Sequence, residues 1–309
     1  MEWLPYIVVG VLGLIGGSFV NAWVWRTHLP ASEDRDADEA KANTKPEEKP
    51  GKKETGSESP YTSGTPNANG HTPASVLRGR SACPDCGHTL GIKDLVPVLS
   101  WLWLHGRCRY CHNPISVQYP VVEIITATAF LLSFWWWPSA LETWPSWVHL
   151  GLWLAITSVV IAMSVYDLRW YILPDSMVGV LLVLTVVSRG LAAIAGAPLE
   201  EWLTGALAGA AGAFLFFYGL YAVGREKWMG GGDVKLVFVL GLLIGGVSTI
   251  VALFIAFVSA AFLGVGLMAS RRKDRRDMLP FGPFLLAGFW LSFFFGDPIA
   301  SWYTGLLLH

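Results

Sequence analysis

The sequence predicts an all-α polytopic membrane protein of about eight transmembrane helices, with a small cytoplasmic zinc-binding module. Three observations carry that expectation. Apolar stretches near the ~20 residues that a membrane helix needs recur along the chain, in which 53% of residues are hydrophobic and only 15% charged. Of the 22 Lys and Arg residues, all but Arg189 fall in alternate connections between those stretches. All four cysteines lie in one hydrophilic segment, as two Cys-x-x-Cys pairs.

The apolar stretches run at 4–25, 119–137, 148–166, 176–195, 202–223, 234–246, 248–269 and from 281 to 297 or beyond. The first begins with Met1, Glu2 and Trp3 and is followed by Arg26. It lacks the basic start of a signal peptide, and so reads as an uncleaved helix. The sixth is short and meets the seventh at Gly245-Gly246. The eighth meets a break signal at Gly296-Asp297-Pro298, with Asp297 as a turn residue. An even number of helices puts both termini on one side. The excess of Lys and Arg makes the connections 26–118, 167–175, 224–235 and 270–280 cytoplasmic. Trp135, Trp136, Trp137, Trp144 and Trp147 gather at the opposite face, as an interfacial aromatic belt does. The basic run Arg271-Arg272-Lys273-Asp274-Arg275-Arg276 reads as a topology anchor or as a dock for acidic lipid. A net charge of −1 gives no reason to expect nucleic acid as a partner.

Residues 26–79 read as a cytoplasmic linker. Within it, 31–75 is rich in Glu, Asp, Lys, Pro, Ser, Thr, Asn and Gly, with almost no large apolar residue. Such a stretch cannot bury enough surface to offset its ordering entropy, so it is expected to be disordered. Residues 80–118 follow as a module. Cys83 and Cys86 are separated from Cys108 and Cys111 by 21 residues. Two tight turns, each aiming two thiolates at one ion, make a tetrahedral four-sulfur zinc site. His88, His105 and His112 are alternative ligands. The apolar run 95–104 is too short to span and is expected to pack on the module or the membrane surface. The remainder, 119–309, reads as a seven-helix membrane core.

Two aspartates stand where apolar helices meet turns. Asp167 closes the helix 148–166, and Asp233 follows Gly230, Gly231 and Gly232. Carboxylates at such places cost energy and mark function. If they meet, they can share one proton and activate water, as an aspartic protease does. The glycines permit close approach of another backbone, such as an extended peptide. Capping a helix is the plainer role for Asp233. Asp175, after Pro174, either caps the next helix or supports the site. Lys235 is placed to pair with a carboxylate or with the substrate. Glu123 is either an interfacial residue or part of the site.

These segments resemble the type IV prepilin peptidase family, bacterial membrane aspartic proteases of the Gly-x-Gly-Asp class. Gly17-Ser18-Phe19-Val20-Asn21 is similar to the family's opening motif. Arg80-Ser81 with both cysteine pairs, and Ile115-Ser116 through Tyr119-Pro120 to Glu123, are similar to its cytoplasmic module. Asp167 through Pro174-Asp175, and Gly230 through Leu236, are similar to its two active-site segments. Pro280-Phe281-Gly282-Pro283-Phe284 is similar to its last-helix motif. The resemblance implies cleavage of the short basic leader of type IV prepilins or pseudopilins, at the cytoplasmic face of the inner membrane, with Asp167 and Asp233 as the catalytic pair. It also implies N-methylation of the new N-terminus from S-adenosylmethionine. A catalytically inactive zinc-knuckle assembly factor is the alternative within the same fold. A transporter would place its acids near the bilayer midplane instead.

Overall fold

The computed structural model describes residues 3–42, 81–138, 140–194, 199–225, 229–270 and 280–307. They are almost wholly helical: α1 (Leu4–Ala42), α2 (Leu99–Trp103), α3 (Gln118–Trp135), α4 (Trp144–Trp170), α5 (Asp175–Ile194), α6 (Leu199–Gly224), α7 (Gly231–Ile244), α8 (Gly246–Ala269) and α9 (Gly282–Leu307). Among the described residues there is no strand beyond two isolated bridges, in the cysteine module. Each of the eight expected apolar helices is present. Six are long and apolar enough to cross a membrane: Leu4–His28, Trp144–Trp170, Asp175–Ile194, Leu203–Gly224, Gly246–Ala269 and Gly282–Leu306. The chain is thus a multi-pass membrane protein. The other two helices are α3, which carries Glu123, and α7, whose 14 residues rise only ~21 Å at 1.5 Å per residue.

Two elements depart from expectation. Helix α1 runs on past 25 to Ala42, into the stretch expected to be disordered. Residues 31–42 are poor in core-forming side chains, but four of the twelve are Ala and four more are Glu, Lys or Arg, good helix formers. A helix already nucleated by a membrane span propagates cheaply through them. The rest of that stretch, 43–75, lies outside the described residues, as does the basic run 271–276. Helix α9 continues through Gly296-Asp297-Pro298 to Leu307. Asp297 is therefore not a turn residue: its carboxylate accepts a hydrogen bond from the Ser248 hydroxyl of α8 at 2.9 Å. A carboxylate on a membrane helix needs such a donor from its neighbour.

The chain divides into two compact units, residues 1–16 with 125–309 and residues 17–124. In the first, α8 packs along α9, α6 along α7 and α4 along α5, while α4 and α7 also touch α9. Small residues let these helices close up. A methyl group on Gly288 would sit 2.5 Å from the Ala252 carbonyl oxygen, and one on Gly241 would sit 2.8 Å from the Ala210 backbone. Phe217, Met163, Met177, Leu236 and Phe289 are fully buried between them. Trp153 stacks on Phe293 at 3.6 Å. Arg189 of α5 donates to the Leu243 carbonyl at the end of α7.

Candidate active site

Asp167 lies in the last turn of α4. That helix ends at Trp170, where Tyr171 turns left-handed (φ 57°, ψ 31°) and donates its amide to the Asp167 carbonyl at 2.8 Å. The Asp167 side chain is buried. It accepts a hydrogen bond from the amide of Gly282, the first residue of α9, at 3.1 Å. A carboxylate out of water needs such a donor.

Asp233 lies in the first turn of α7 and is half-buried. It is not the N-cap, which is Gly230. Instead its carboxylate lies beside the Gly230 amide. Gly231 and Gly232 open the helix. A methyl on Gly232 would lie 3.1 Å from the Leu173 side chain, so glycine there lets the α4–α5 loop rest against α7. The end of α4 and the start of α7 thus bring two acids together, close enough for the Asp167 carboxylate to act electrostatically on Asp233.

Asp175 is the first residue of α5. Its carboxylate is taken by the Lys235 ammonium, which donates to both oxygens at 2.8 and 2.9 Å. Lys235 therefore pairs with a carboxylate, and the pair, exposed on both sides, joins the starts of α5 and α7. Glu123 is buried in the second unit, where its carboxylate accepts the Val98 amide at 2.7 Å and the Ser18 hydroxyl. Sequence reasoning did not single out Gly282 as a partner of Asp167. The available signal was a Gly-Pro pair at a helix start, where an unbonded amide faces outward.

The second unit carries the cysteines. The two knuckles are near-copies. The Cys83 amide bonds the His88 carbonyl and the Gly87 amide bonds the Cys83 carbonyl; Cys108 with Asn113 and His112 with Cys108 repeat both bonds, at 2.8 to 3.0 Å. Gly87 and His112 take the left-handed conformation at equivalent places. The turns aim all four sulfurs inward, within 4.8 Å of one another. None forms a disulfide. Two zinc-bound thiolates at ~2.3 Å from a tetrahedral ion stand ~3.8 Å apart, and Cys83 and Cys111 stand at 3.9 Å. The set could hold a metal ion. Burial pushes the Cys83 thiol up to about 12. Burial also opposes ionisation of Cys108, but the Cys111 and Tyr110 amides and the neighbouring thiols prevail and bring it down to about 7. The run 95–104 contains the short helix α2, and Trp101 binds the module by donating its indole N–H to the Ile115 carbonyl at 3.1 Å. Asp94 clamps the second knuckle through Arg109 at 2.7 Å and the Tyr110 hydroxyl at 3.1 Å.

Fold and site define a class: a multi-pass helical membrane protein with a paired-aspartate site and a four-cysteine cluster. Residues 154–265 match the type IV leader peptidase family, and residues 11–137 match the bacterial peptidase A24 N-terminal domain. A relative from Aeromonas hydrophila, named prepilin leader peptidase/N-methyltransferase, is 31% identical over 303 residues, covering 98% of this chain and 95% of its own. Relatives with the same name from Bacillus subtilis and Burkholderia pseudomallei are 32% and 34% identical, covering 76% and 93% of this chain and 89% and 84% of their own. No solved structure gives a significant match. The chain belongs to the type IV leader peptidase family.

Proposed function

We propose that this protein is a membrane aspartic endopeptidase that removes the short basic leader from type IV prepilins or pseudopilins at the cytoplasmic face of the inner membrane. The observation that carries this reading is that Asp167, at the end of α4, lies near enough to Asp233, at the start of α7, to act on it electrostatically. One acid, ionised, takes a proton from water as the water oxygen attacks the scissile carbonyl. The other, protonated, polarises the carbonyl oxygen. Collapse of the tetrahedral intermediate passes a proton to the leaving nitrogen and regenerates the pair. No covalent intermediate forms. The pair shares its protons and titrates as a unit. The Asp175–Lys235 bridge supports the geometry by tying α5 to α7, and Gly230, Gly231 and Gly232 leave room beside the acids for an extended peptide.

Cys83, Cys86, Cys108 and Cys111 hold a structural zinc ion, for which their spacing and thiolate chemistry fit. The same protein N-methylates the new N-terminus, and S-adenosylmethionine supplies the methyl group when bound. In the second unit, Glu123 has only neutral donors on its carboxylate, and the buried Asn21 Oδ1 has no donor among the described residues. These two acceptors suit a cationic amine or sulfonium. The basic connections face the cytoplasm and the protein contacts membrane lipid throughout.

The test is incubation of the purified, detergent-solubilised protein with a prepilin. Wild type is expected to yield mature pilin lacking the leader, and Asp233→Ala to yield none. Absence of cleavage by folded wild-type protein across several prepilins would favour the inactive assembly factor instead.

A further inference from the structure

Resting on the peptidase reading, we propose that Gly282 is a positioning residue for Asp167. Its amide fixes the carboxyl group and occupies Oδ2, so that Oδ1 is the oxygen left to face the reaction. Position 282 has to be glycine because the carboxylate stands where a side chain would be.

The argument begins with the start of α9. The first amides of a helix have no partner within it. Here the Phe281 carbonyl already receives the amides of Phe284 and Leu285, and Pro283 has no N–H to offer. The Gly282 amide is therefore singled out as the donor of this first turn, and it points at Asp167 Oδ2 at 3.1 Å in a buried setting. A negative group at this place also meets the positive end of the α9 macrodipole. Among the described residues, no hydrogen bond engages Oδ1.

The turn itself is held. The Phe281 ring lies 6.2 Å from that of Phe217 on α6 and 5.1 Å from that of Phe257 on α8. Two helices thus anchor the residue that carries the amide's peptide bond, and Pro280 and Pro283 stiffen either side of it. The acid is then located by the packing of α6, α8 and α9 rather than by its own helix alone. Asp233 likewise lies beside a backbone amide at a helix start, that of Gly230.

The space is closed. A β-carbon at 282 would lie 2.6 Å from Asp167 Oδ2, 3.1 Å from Cγ and 3.5 Å from Cβ. Asp167 is short and buried, so it has nowhere to swing without leaving its place opposite Asp233. Alanine at 282 keeps the amide but displaces the carboxylate, and a displacement of about 1 Å at a reacting group costs roughly 10²-fold in turnover.

The experiment uses the full-length protein in four forms: wild type, Gly282→Ala, Asp167→Ala, and both changes together. Prepilin cleavage by Gly282→Ala is expected to fall about 10²-fold in kcat with KM unchanged, since the substrate's own contacts are not touched. Thermal unfolding supplies the second readout. Gly282→Ala is expected to lower Tm when Asp167 is present and to cost nothing when Asp167 is alanine, because the colliding group is gone. Wild-type kcat for Gly282→Ala, or an equal loss of Tm in both backgrounds, overturns the proposal. If Gly282→Ala does not fold, the double variant decides: folding supports the collision with Asp167, and failure overturns it. Cleavage by Asp167→Ala would sink the peptidase assignment, while the Tm comparison still tests the contact.

Discussion

Asp167 accepts one backbone amide at the start of a helix, that of Gly282, and Asp233 lies beside another, that of Gly230. An amide fixes an acid's position without supplying a positive side chain that would neutralise it. Both acids are needed, because neither alone can both take a proton from water and donate one to the carbonyl. Asp167→Ala and Asp233→Ala are each expected to cut leader cleavage by at least the 10²–10⁴-fold typical of a lost acid–base group, while the protein still inserts. Asp167→Asn keeps an oxygen for the Gly282 amide but cannot ionise, and is expected to be as inactive as alanine. Mass spectrometry of the pilin product measures all three; near wild-type turnover in any would remove that residue from the chemistry. Both acids could be read from the sequence because a charge in an apolar run stands out. Gly282 could not be. It brings no chemistry of its own, and its partner is 115 residues away. Lys235 was legible only as a cation near the site, since two partners fitted its position equally and the fold decides for Asp175.

At the scale of elements, the paired cysteine turns were the most legible feature, because each knuckle is a local structure written in a few consecutive residues. One zinc per chain is expected on metal analysis of freshly purified protein, and Cys83→Ser or Cys108→Ser should lose it. These two are the buried ligands, so removal of the metal with a chelator should also make them reactive to a thiol reagent. Protein prepared without chelator that contains no zinc, or two stable disulfides found by mass spectrometry, would contradict this. The Asp175–Lys235 bridge behaves differently. Both partners are exposed, and such a pair contributes at most about 1 kcal/mol to stability. Lys235→Met and Asp175→Asn are therefore expected to leave the unfolding temperature nearly unchanged. If their role is to hold α5 against α7 beside the acids, each should lower kcat to a similar degree, and the double variant should be no worse than either single one. Additive losses would show that Lys235 acts on the substrate independently of Asp175. Helix ends were less legible than helix centres. Composition showed that 31–42 could not form a core but did not reveal that α1 would carry helical structure through it. Pro298 marked a break in the sequence, yet α9 runs through it to Leu307.

The whole molecule joins a membrane helix unit bearing the acids to a second unit bearing the cysteines, and the hydrophilic stretch falls within the sequence of the second. Residues on either side of that stretch bond to one another within the second unit. Asn21 donates to the Tyr119 carbonyl at 3.1 Å, Val98 donates to Glu123, and the knuckles close on themselves. The Bacillus subtilis relative matches along 89% of its own length while covering 76% of this chain, so part of this chain is not needed for that alignment. Composition points to the same stretch, since a segment with almost no large apolar residue contributes little buried surface to any fold. Removing 43–72 is therefore expected to leave leader cleavage, membrane insertion and zinc content intact. Eight residues, 73–80, would still connect α1 to Ser81 and can reach about 27 Å when extended. A shorter connection has a slightly lower closure entropy cost, so a small gain in stability is the expected direction. The deletion is assayed on the same prepilin as the full chain. Loss of cleavage with normal insertion and a full complement of zinc would show that the hydrophilic stretch takes part in docking the substrate. Loss of zinc as well would show instead that the second unit depends on it to fold.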